Sequence, residues 1–188
     1  MNLAIFASHN GSSLDSIYAA IKNNELKLNL KLVISNNSNA NVLQKAQHYN
    51  IKHKVINDKL FENPDEEIIQ TLKEEKIACI FLAGYMKKLS PLITQNFKVI
   101  NSHPALLPKF GGKGMYGRFV HEAVIQNKEK ISGVTLHEVN ENYDEGKIIL
   151  QRSLLIDEDE TAQSLEARIK ELEKKIIIEG LKKCSIPF

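Results

Sequence analysis

Residues 2–7 have the sequence NLAIFA, and residues 8–13, which follow directly, have the sequence SHNGSS. The first run is short and almost continuously apolar, which is typical of a strand buried on both faces. Residues 13–23 then carry apolar side chains at helical spacing, among them Leu14, Ile17 and Ile21. A buried strand, a polar turn and an amphipathic helix in this order predict the first strand–helix unit of an α/β fold.

The same order recurs through the first half of the chain. Further strands are predicted at residues 31–35, 53–56, 78–83 and 98–101, and helices at residues 40–49 and from Pro64 to about Glu75. Strands that alternate with helices predict a Rossmann-like fold: a mostly parallel, twisted central sheet with helices on both faces. In such sheets, ligands bind beyond the carboxyl ends of the strands, so the loops at those ends are the ones to examine.

The second half of the chain follows a different pattern. It is predicted to contain a long ordered loop at residues 102–117, a helix at 118–126, strands at 132–139 and 147–155, and an amphipathic helix from Thr161 to about Lys183. No repeat or linker interrupts the sequence. We therefore expect one domain over residues 1–188, with a first half at 1–101 and a second half at 102–188.

Composition excludes several classes of protein. Lys and Arg total 25 against 23 Asp and Glu, so the net charge of +2 argues against a dedicated nucleic-acid binder. The apolar run at residues 77–86 is too short to span a bilayer, and no cationic segment precedes the first apolar run. The two cysteines, Cys79 and Cys184, lack metal-ligand spacing. We expect a cytoplasmic protein that binds no metal, no membrane and no nucleic acid.

The loop after the first strand is a candidate anion site. Asn10, Gly11, Ser12 and Ser13 are small and polar, and they leave backbone N–H groups open at the start of a helix. Such a site favours a phosphate. The alternative is an ordinary helix cap with no ligand, because Ser and Asn are common caps.

Residues 112–117 match the dinucleotide pattern G-x-G-x-x-G literally. That pattern requires a strand immediately before it, and Pro104 and Pro108 exclude a central strand there. We interpret the segment as a flexible loop or lid in which the glycines act as hinges.

Asn101 and His103 follow the fifth strand and form a candidate catalytic pair. On an extended backbone, residues two apart face the same side, and Pro104 keeps His103 extended. An amide can stabilise a developing oxyanion, and an imidazole can transfer a proton near neutral pH. If Asp144 lies close to His103, it should raise the pKa of the histidine. The alternative is a turn with a surface histidine, and His137 is equally consistent with a supporting role or with simple packing.

Several segments resemble motifs of the folate-dependent formyltransferases, and within them of the phosphoribosylglycinamide formyltransferases. They are residues 101–108 (NSHPALLP, similar to N-x-H-P-[SA]-L-L-P), 10–13 (NGSS, similar to N-G-S-N), 82–89 (LAGYMKKL), 143–151 (YDEGKIILQ) and 167–169 leading to Glu173. They stand in the family's order and are spread over nearly the whole chain. Two departures are Ser13, where the family usually has Asn, and the lack of an Arg in residues 61–64.

The resemblance implies transfer of a formyl group from the co-substrate 10-formyltetrahydrofolate to the amine of 5-phosphoribosylglycinamide in purine biosynthesis, with no metal. It implies catalytic roles for Asn101, His103 and Asp144. It implies substrate contacts for Asn10, Gly11, Ser12, Ser13 and Glu173. It implies a folate site formed by Met86, Lys87, Lys88, Leu89, Asn101, Asn140, Glu141, Asn142, Tyr143 and Asp144.

Other assignments stay open at this point. A sugar N-formyltransferase or a formyltetrahydrofolate hydrolase would share the fold, although the hydrolase would have no use for a phosphate loop. A methionyl-tRNA formyltransferase is expected to need a further basic C-terminal domain. A binding module without catalysis would have no need of Asn101, His103 and Asp144 together. The expected assembly is a monomer or a homodimer.

Overall fold

The computed structural model describes residues 1–185, which contain seven strands and six helices. In chain order they are β1 (Asn2–Phe6), α1 (Ser12–Lys22), β2 (Asn29–Ser35), α2 (Asn41–His48), β3 (Lys52–Val55), α3 (Pro64–Glu74), β4 (Cys79–Leu82), α4 (Pro91–Asn96), β5 (Lys98–His103), α5 (Arg118–Gln126), β6 (Ile131–Glu138), β7 (Ile148–Leu155) and α6 (Ala162–Ser185). The strand order in the sheet is β3-β2-β1-β4-β5-β6-β7. The predicted α/β class with a mostly parallel sheet is confirmed.

The described chain divides into two compact units. The first contains Met1–Ile100 together with Cys184, and the second contains Asn101–Lys183. The predicted boundary between the two halves lay between residues 101 and 102. That the whole chain acts as one domain stays a prediction.

In the first unit, β1 is a central strand that pairs in parallel with both β2 and β4, while β2 pairs in parallel with β3. Every residue of β4 is buried, and so are the last four residues of β1. Strands this apolar are stable only when both faces are covered, which explains why they read as continuous hydrophobic runs in the sequence.

In the second unit, β6 and β7 form an antiparallel pair that runs from Ile131 opposite Leu155 to His137 opposite Ile148. The long helix α6 buries Leu165, Ile169 and Ile176, three residues of the predicted apolar stripe. None of the helices in residues 1–185 has the length and hydropathy needed to cross a bilayer.

Several element bounds differ from the prediction by one or two residues, among them the start of β2 at Asn29 and the end of β5, and one helix was not predicted. The strand β5 continues to His103, two residues past the predicted end, because backbone pairing does not require apolar side chains. The short helix α4 was not predicted, since its six residues bury only Ile93 and so carry no periodic apolar pattern. Its one sequence signal is Pro91, a residue favoured in the first turn of a helix.

Candidate active site

In the first unit, the loop after β1 presents an open helix N-terminus. Gly11 is the N-cap of α1, with φ +55°, and no side chain caps the helix. A Cβ at this position would lie 2.5 Å from Cγ2 of Val42, so glycine is required both by the left-handed backbone and by the close approach. The uncapped N–H groups and the helix dipole favour an anion at this point.

The remaining residues of the loop differ in accessibility. Ser12 is exposed, whereas Ser13 is buried. Asn41 donates a hydrogen bond of 2.7 Å from Nδ2 to Oδ1 of Asn10, which fixes the turn against α2. Of the predicted phosphate residues, Ser12 therefore offers the more accessible hydroxyl.

Ser8 connects this loop to the segment after β4, a role that the sequence analysis missed. Its hydroxyl accepts a hydrogen bond of 2.7 Å from the backbone N–H of Met86 and donates one of 2.7 Å to Oδ1 of Asn36. Its own N–H donates to the carbonyl of Gly84 over 3.1 Å. Its place directly after the first apolar strand, at the end where ligands bind in such sheets, is the signal that could have indicated such a role.

The first unit also contains a pocket of about 300 Å³. Lys87, Lys88 and Leu89 line it, as the folate prediction requires, whereas Met86 is not among its lining residues. Lys87 Nζ donates to both carboxylate oxygens of Asp58 at 2.9 Å, which lowers the pKa of Asp58. The pocket wall thus carries both acidic and basic side chains, Asp58 and Asp65 opposite in charge to Lys87 and Lys88, beside the apolar Leu89.

In the second unit, the structure brings His103 and Asp144 together at the end of β5. The side chain of His103 is almost fully buried, and its Nδ1 lies 3.6 Å from Oδ2 of Asp144. Its Nε2 lies 2.7 Å from the carbonyl oxygen of Phe110. A carbonyl only accepts, so Nε2 carries a proton, and Nδ1 is the nitrogen that gains or loses one next to the carboxylate.

The direction of the pKa shift at His103 differs from the prediction. Asp144 and the Phe110 carbonyl do raise the pKa, but burial lowers it by more, so the pKa of His103 lies below its ordinary value. The sequence argument was wrong on this point because it counted the neighbouring charge and had no measure of desolvation. Burial therefore favours the neutral form of the imidazole.

Asn101 is linked to the same cluster through His137, whose Nε2 also lies 3.6 Å from Oδ1 of Asp144, and these contacts favour a supporting role for that histidine. His137 donates from Nδ1 to the carbonyl of Glu138 over 2.9 Å, so its Nε2 is the acceptor in the neutral ring. Asn101 donates from Nδ2 to this Nε2 over 3.1 Å. Burial lowers the pKa of His137, which keeps the ring neutral and able to accept. In the part of the chain that the structure describes, the second N–H of the Asn101 amide has no acceptor and is left for a ligand.

The glycine-rich loop holds the carboxylate in place. Gly112 donates a backbone hydrogen bond of 2.9 Å to Oδ2 of Asp144. Asp144 and Phe110 both have left-handed backbones, with φ +58° and +56°. Such conformations cost roughly 1–2 kcal/mol in non-glycine residues. Gly112, the first residue of the segment interpreted as a lid, thus contacts Asp144, whereas Phe110, which contacts His103, lies two residues before that segment.

Glu173, on α6, contacts a residue that the sequence analysis did not select. Ser102 Oγ donates a hydrogen bond of 2.6 Å to Oε1 of Glu173. Burial raises the pKa of Glu173, and this effect outweighs the opposing hydrogen bond from Ser102 and the charge of Lys170. No signal in the sequence connects two residues that stand 71 positions apart.

The predicted folate loop at residues 140–144 lies between β6 and β7. Asn140 Oδ1 accepts a hydrogen bond of 3.0 Å from the backbone N–H of Asn142. The side-chain amide of Asn142 donates one of 2.8 Å to Glu145. Glu141 is exposed and Tyr143 has 49% of its surface exposed. The loop is locally braced, and its side chains are open to a ligand. Among the described residues, no cluster of three His, Cys, Asp or Glu side chains has the arrangement of a metal site.

Known proteins share both the sequence and the fold of this chain. The formyl transferase family matches residues 1–181. The phosphoribosylglycinamide formyltransferase of Bacillus subtilis is 34% identical over 177 residues, which cover 92% of this chain and 88% of that protein. The chloroplastic phosphoribosylglycinamide formyltransferase of Vigna unguiculata is also 34% identical, over 94% of this chain, and this chain spans 58% of its length.

The structural comparison agrees. The crystal structure of phosphoribosylglycinamide formyltransferase from Bacillus halodurans superposes with a TM-score of 0.88 at 31% identity, over 98% of this chain and 95% of the other. The match extends through both compact units, and the family suggested by the sequence motifs is confirmed. The chain belongs to the formyl transferase family.

Proposed function

We propose that this chain transfers the formyl group of 10-formyltetrahydrofolate to the amine of 5-phosphoribosylglycinamide, a step of purine biosynthesis. The products are the formylated ribonucleotide and tetrahydrofolate. The observation that carries the proposal is the cluster of Asn101, His103 and Asp144, in which the buried His103 has its Nδ1 3.6 Å from the carboxylate. The names of the relatives in bacteria and plants support the same reaction.

Two groups of the cluster suit a reaction in which charge develops on an acyl oxygen. The substrate amine attacks the formyl carbon, and its lone pair forms the new C–N bond while negative charge builds on the formyl oxygen. The free N–H of the Asn101 amide is a donor for that oxygen. Loss of one such donor typically costs about 2.7–4 kcal/mol in the transition state.

Because burial favours its neutral form, His103 can act as a general base. Its Nδ1 can take up the proton that the attacking amine loses, and the carboxylate of Asp144 then stabilises the resulting imidazolium. The same proton returns to the leaving nitrogen of the folate when the original C–N bond breaks. The depressed pKa of His103 favours this return, because a weakly basic imidazole is a stronger acid once protonated.

The remaining candidates account for binding. The open N-terminus of α1 and the hydroxyl of Ser12 suit the phosphate of the amine substrate. Glu173 suits donors on its ribose or glycinamide portion. Lys87, Lys88 and Leu89 suit the folate, since they line a pocket that offers charged, polar and apolar side chains.

The test is a spectroscopic assay of tetrahydrofolate release with and without 5-phosphoribosylglycinamide. We expect release only in the presence of the amine. His103→Ala should lower kcat by at least about 10²-fold and leave folate binding intact. His48→Ala, which changes an exposed histidine on α2, is the matched control and should retain full activity.

Three results would contradict the proposal. Release without the amine would indicate a hydrolase, and no release under either condition would indicate a binding module. Near-normal turnover by His103→Ala would remove this residue from the chemistry.

A further inference from the structure

The hydrogen bond between Ser102 and Glu173 joins two residues that the catalytic cluster does not use. Successive side chains of a strand point to opposite faces, so Ser102 projects away from the face shared by Asn101 and His103. Its hydroxyl meets Glu173 Oε1 at 2.6 Å, a short distance typical of a hydroxyl that donates to a carboxylate. The end of β5 thus serves two separate groups of polar atoms.

Glu173 is held by one oxygen only. Within residues 1–185, the bond from Ser102 is its single hydrogen bond, and Oε2 accepts none from the protein. Glu173 is half-buried, so Oε2 can take a donor from outside the chain.

We propose that Ser102 is a positioning residue for Glu173: its hydroxyl fixes Oε1 and thereby orients Oε2 toward a donor on the amine substrate. The inference rests on the proposed function and names a determinant of binding for the same substrate. A glutamate without this bond would rotate about its side-chain torsions, and ordering it on binding would weaken the affinity. The hydroxyl also supplies charge stabilisation to a carboxylate whose burial disfavours ionisation.

The matched variants are Ser102→Thr and Ser102→Val. Threonine and valine have nearly the same shape and both suit a strand, but only threonine keeps the hydroxyl. We expect Ser102→Val to raise the KM for 5-phosphoribosylglycinamide about tenfold, in line with loss of a hydrogen bond to a charged group. The kcat and the KM for the folate should stay within about twofold, and Ser102→Thr should restore the wild-type KM.

A double-mutant cycle isolates the contact from general damage. In a Glu173→Met background, replacing Ser102 by valine should change the KM by less than about twofold, because the acceptor that the Ser102 hydroxyl positions is gone. Thermal unfolding of each variant reports any loss of stability separately from the change in KM.

The outcomes separate this inference from the proposed function. An active wild type with equal KM values for the threonine and valine variants would overturn the role of Ser102 and leave the reaction in place. A lower melting temperature for Ser102→Val with an unchanged KM would assign the bond to stability alone and would also overturn the inference. A wild type that transfers no formyl group to the amine would refute the proposed function itself.

Discussion

Replacing Thr135 by valine should destabilise the second unit, because its buried hydroxyl satisfies two backbone groups at once. Thr135 Oγ1 donates a hydrogen bond of 2.7 Å to the carbonyl of Ala105 and accepts one of 3.0 Å from the N–H of Leu107. It also accepts a hydrogen bond of 2.8 Å from the side-chain amide of Gln151, and this amide donates a second hydrogen bond to the carbonyl of Leu107. Valine would leave the Ala105 carbonyl and the Leu107 N–H without partners.

The magnitude follows from these two lost partners. Each buried polar group left unsatisfied costs about 1–3 kcal/mol, so Thr135→Val should lower the free energy of unfolding by roughly 2–6 kcal/mol. For a domain of this size, 1 kcal/mol corresponds to about 2–4 °C, and a central estimate of about 4 kcal/mol corresponds to roughly 8–16 °C. Thr135→Ser keeps the hydroxyl and loses one buried methyl, at a cost of about 1 kcal/mol.

Circular dichroism at 222 nm during heating, together with urea unfolding, measures both variants against the wild type. We expect the free energy of unfolding to decrease from the wild type to the serine variant and then to the valine variant, with the larger decrease between the two variants. If the valine variant is as stable as the serine variant, the hydroxyl does not hold the segment after His103, and the reasoning fails. Unchanged m-values in urea would confirm that the variants unfold from comparable native states.

Two further predictions concern substrate charge and pH. Ser12→Asp should raise the KM for 5-phosphoribosylglycinamide at least about fivefold, because two like charges 4 Å apart repel by about 1 kcal/mol even in water, and Ser12→Asn should not. Burial lowers the pKa values of His103, His121 and His137, so the unfolded chain binds more protons below pH 6.5 and the free energy of unfolding should fall from pH 7.5 to 5.5. The pKa of Glu173 is raised, so this residue makes the free energy of unfolding rise as the pH falls, but closer to its own titration. Urea midpoints that rise from pH 7.5 to 5.5 would contradict the prediction.

The strands of the first unit were predictable because their burial is nearly complete. When both faces of a strand are covered, almost every residue is apolar, and the sequence of β1 or β4 shows this directly. The boundaries differ by one or two residues, where side-chain polarity changes but backbone pairing continues, as at the end of β5. The helix α4 escaped prediction because a single buried residue gives no periodicity.

The site was predictable only where the geometry is local. The spacing of Asn101 and His103 places them on one face of a strand whatever the rest of the fold does. The contact between His103 and Asp144 depends on the glycine-rich loop, and specifically on the bond from Gly112 to the carboxylate. Burial of the imidazole is a property of the whole fold, which explains why the sign of its pKa shift could not be read from the residues alone.

The polar end of β5 predicts that this strand tolerates few substitutions. Three consecutive residues carry side chains that would be costly to bury without partners, and each has one: His137 for Asn101, Glu173 for Ser102, and the Phe110 carbonyl for His103. Because the faces alternate, a shift of one residue in register would exchange the two sets and leave all three bonds unmade. The register of β5 and the geometry of the site therefore depend on the same hydrogen bonds, and a substitution at Asn101 or His103 acts on stability and chemistry together.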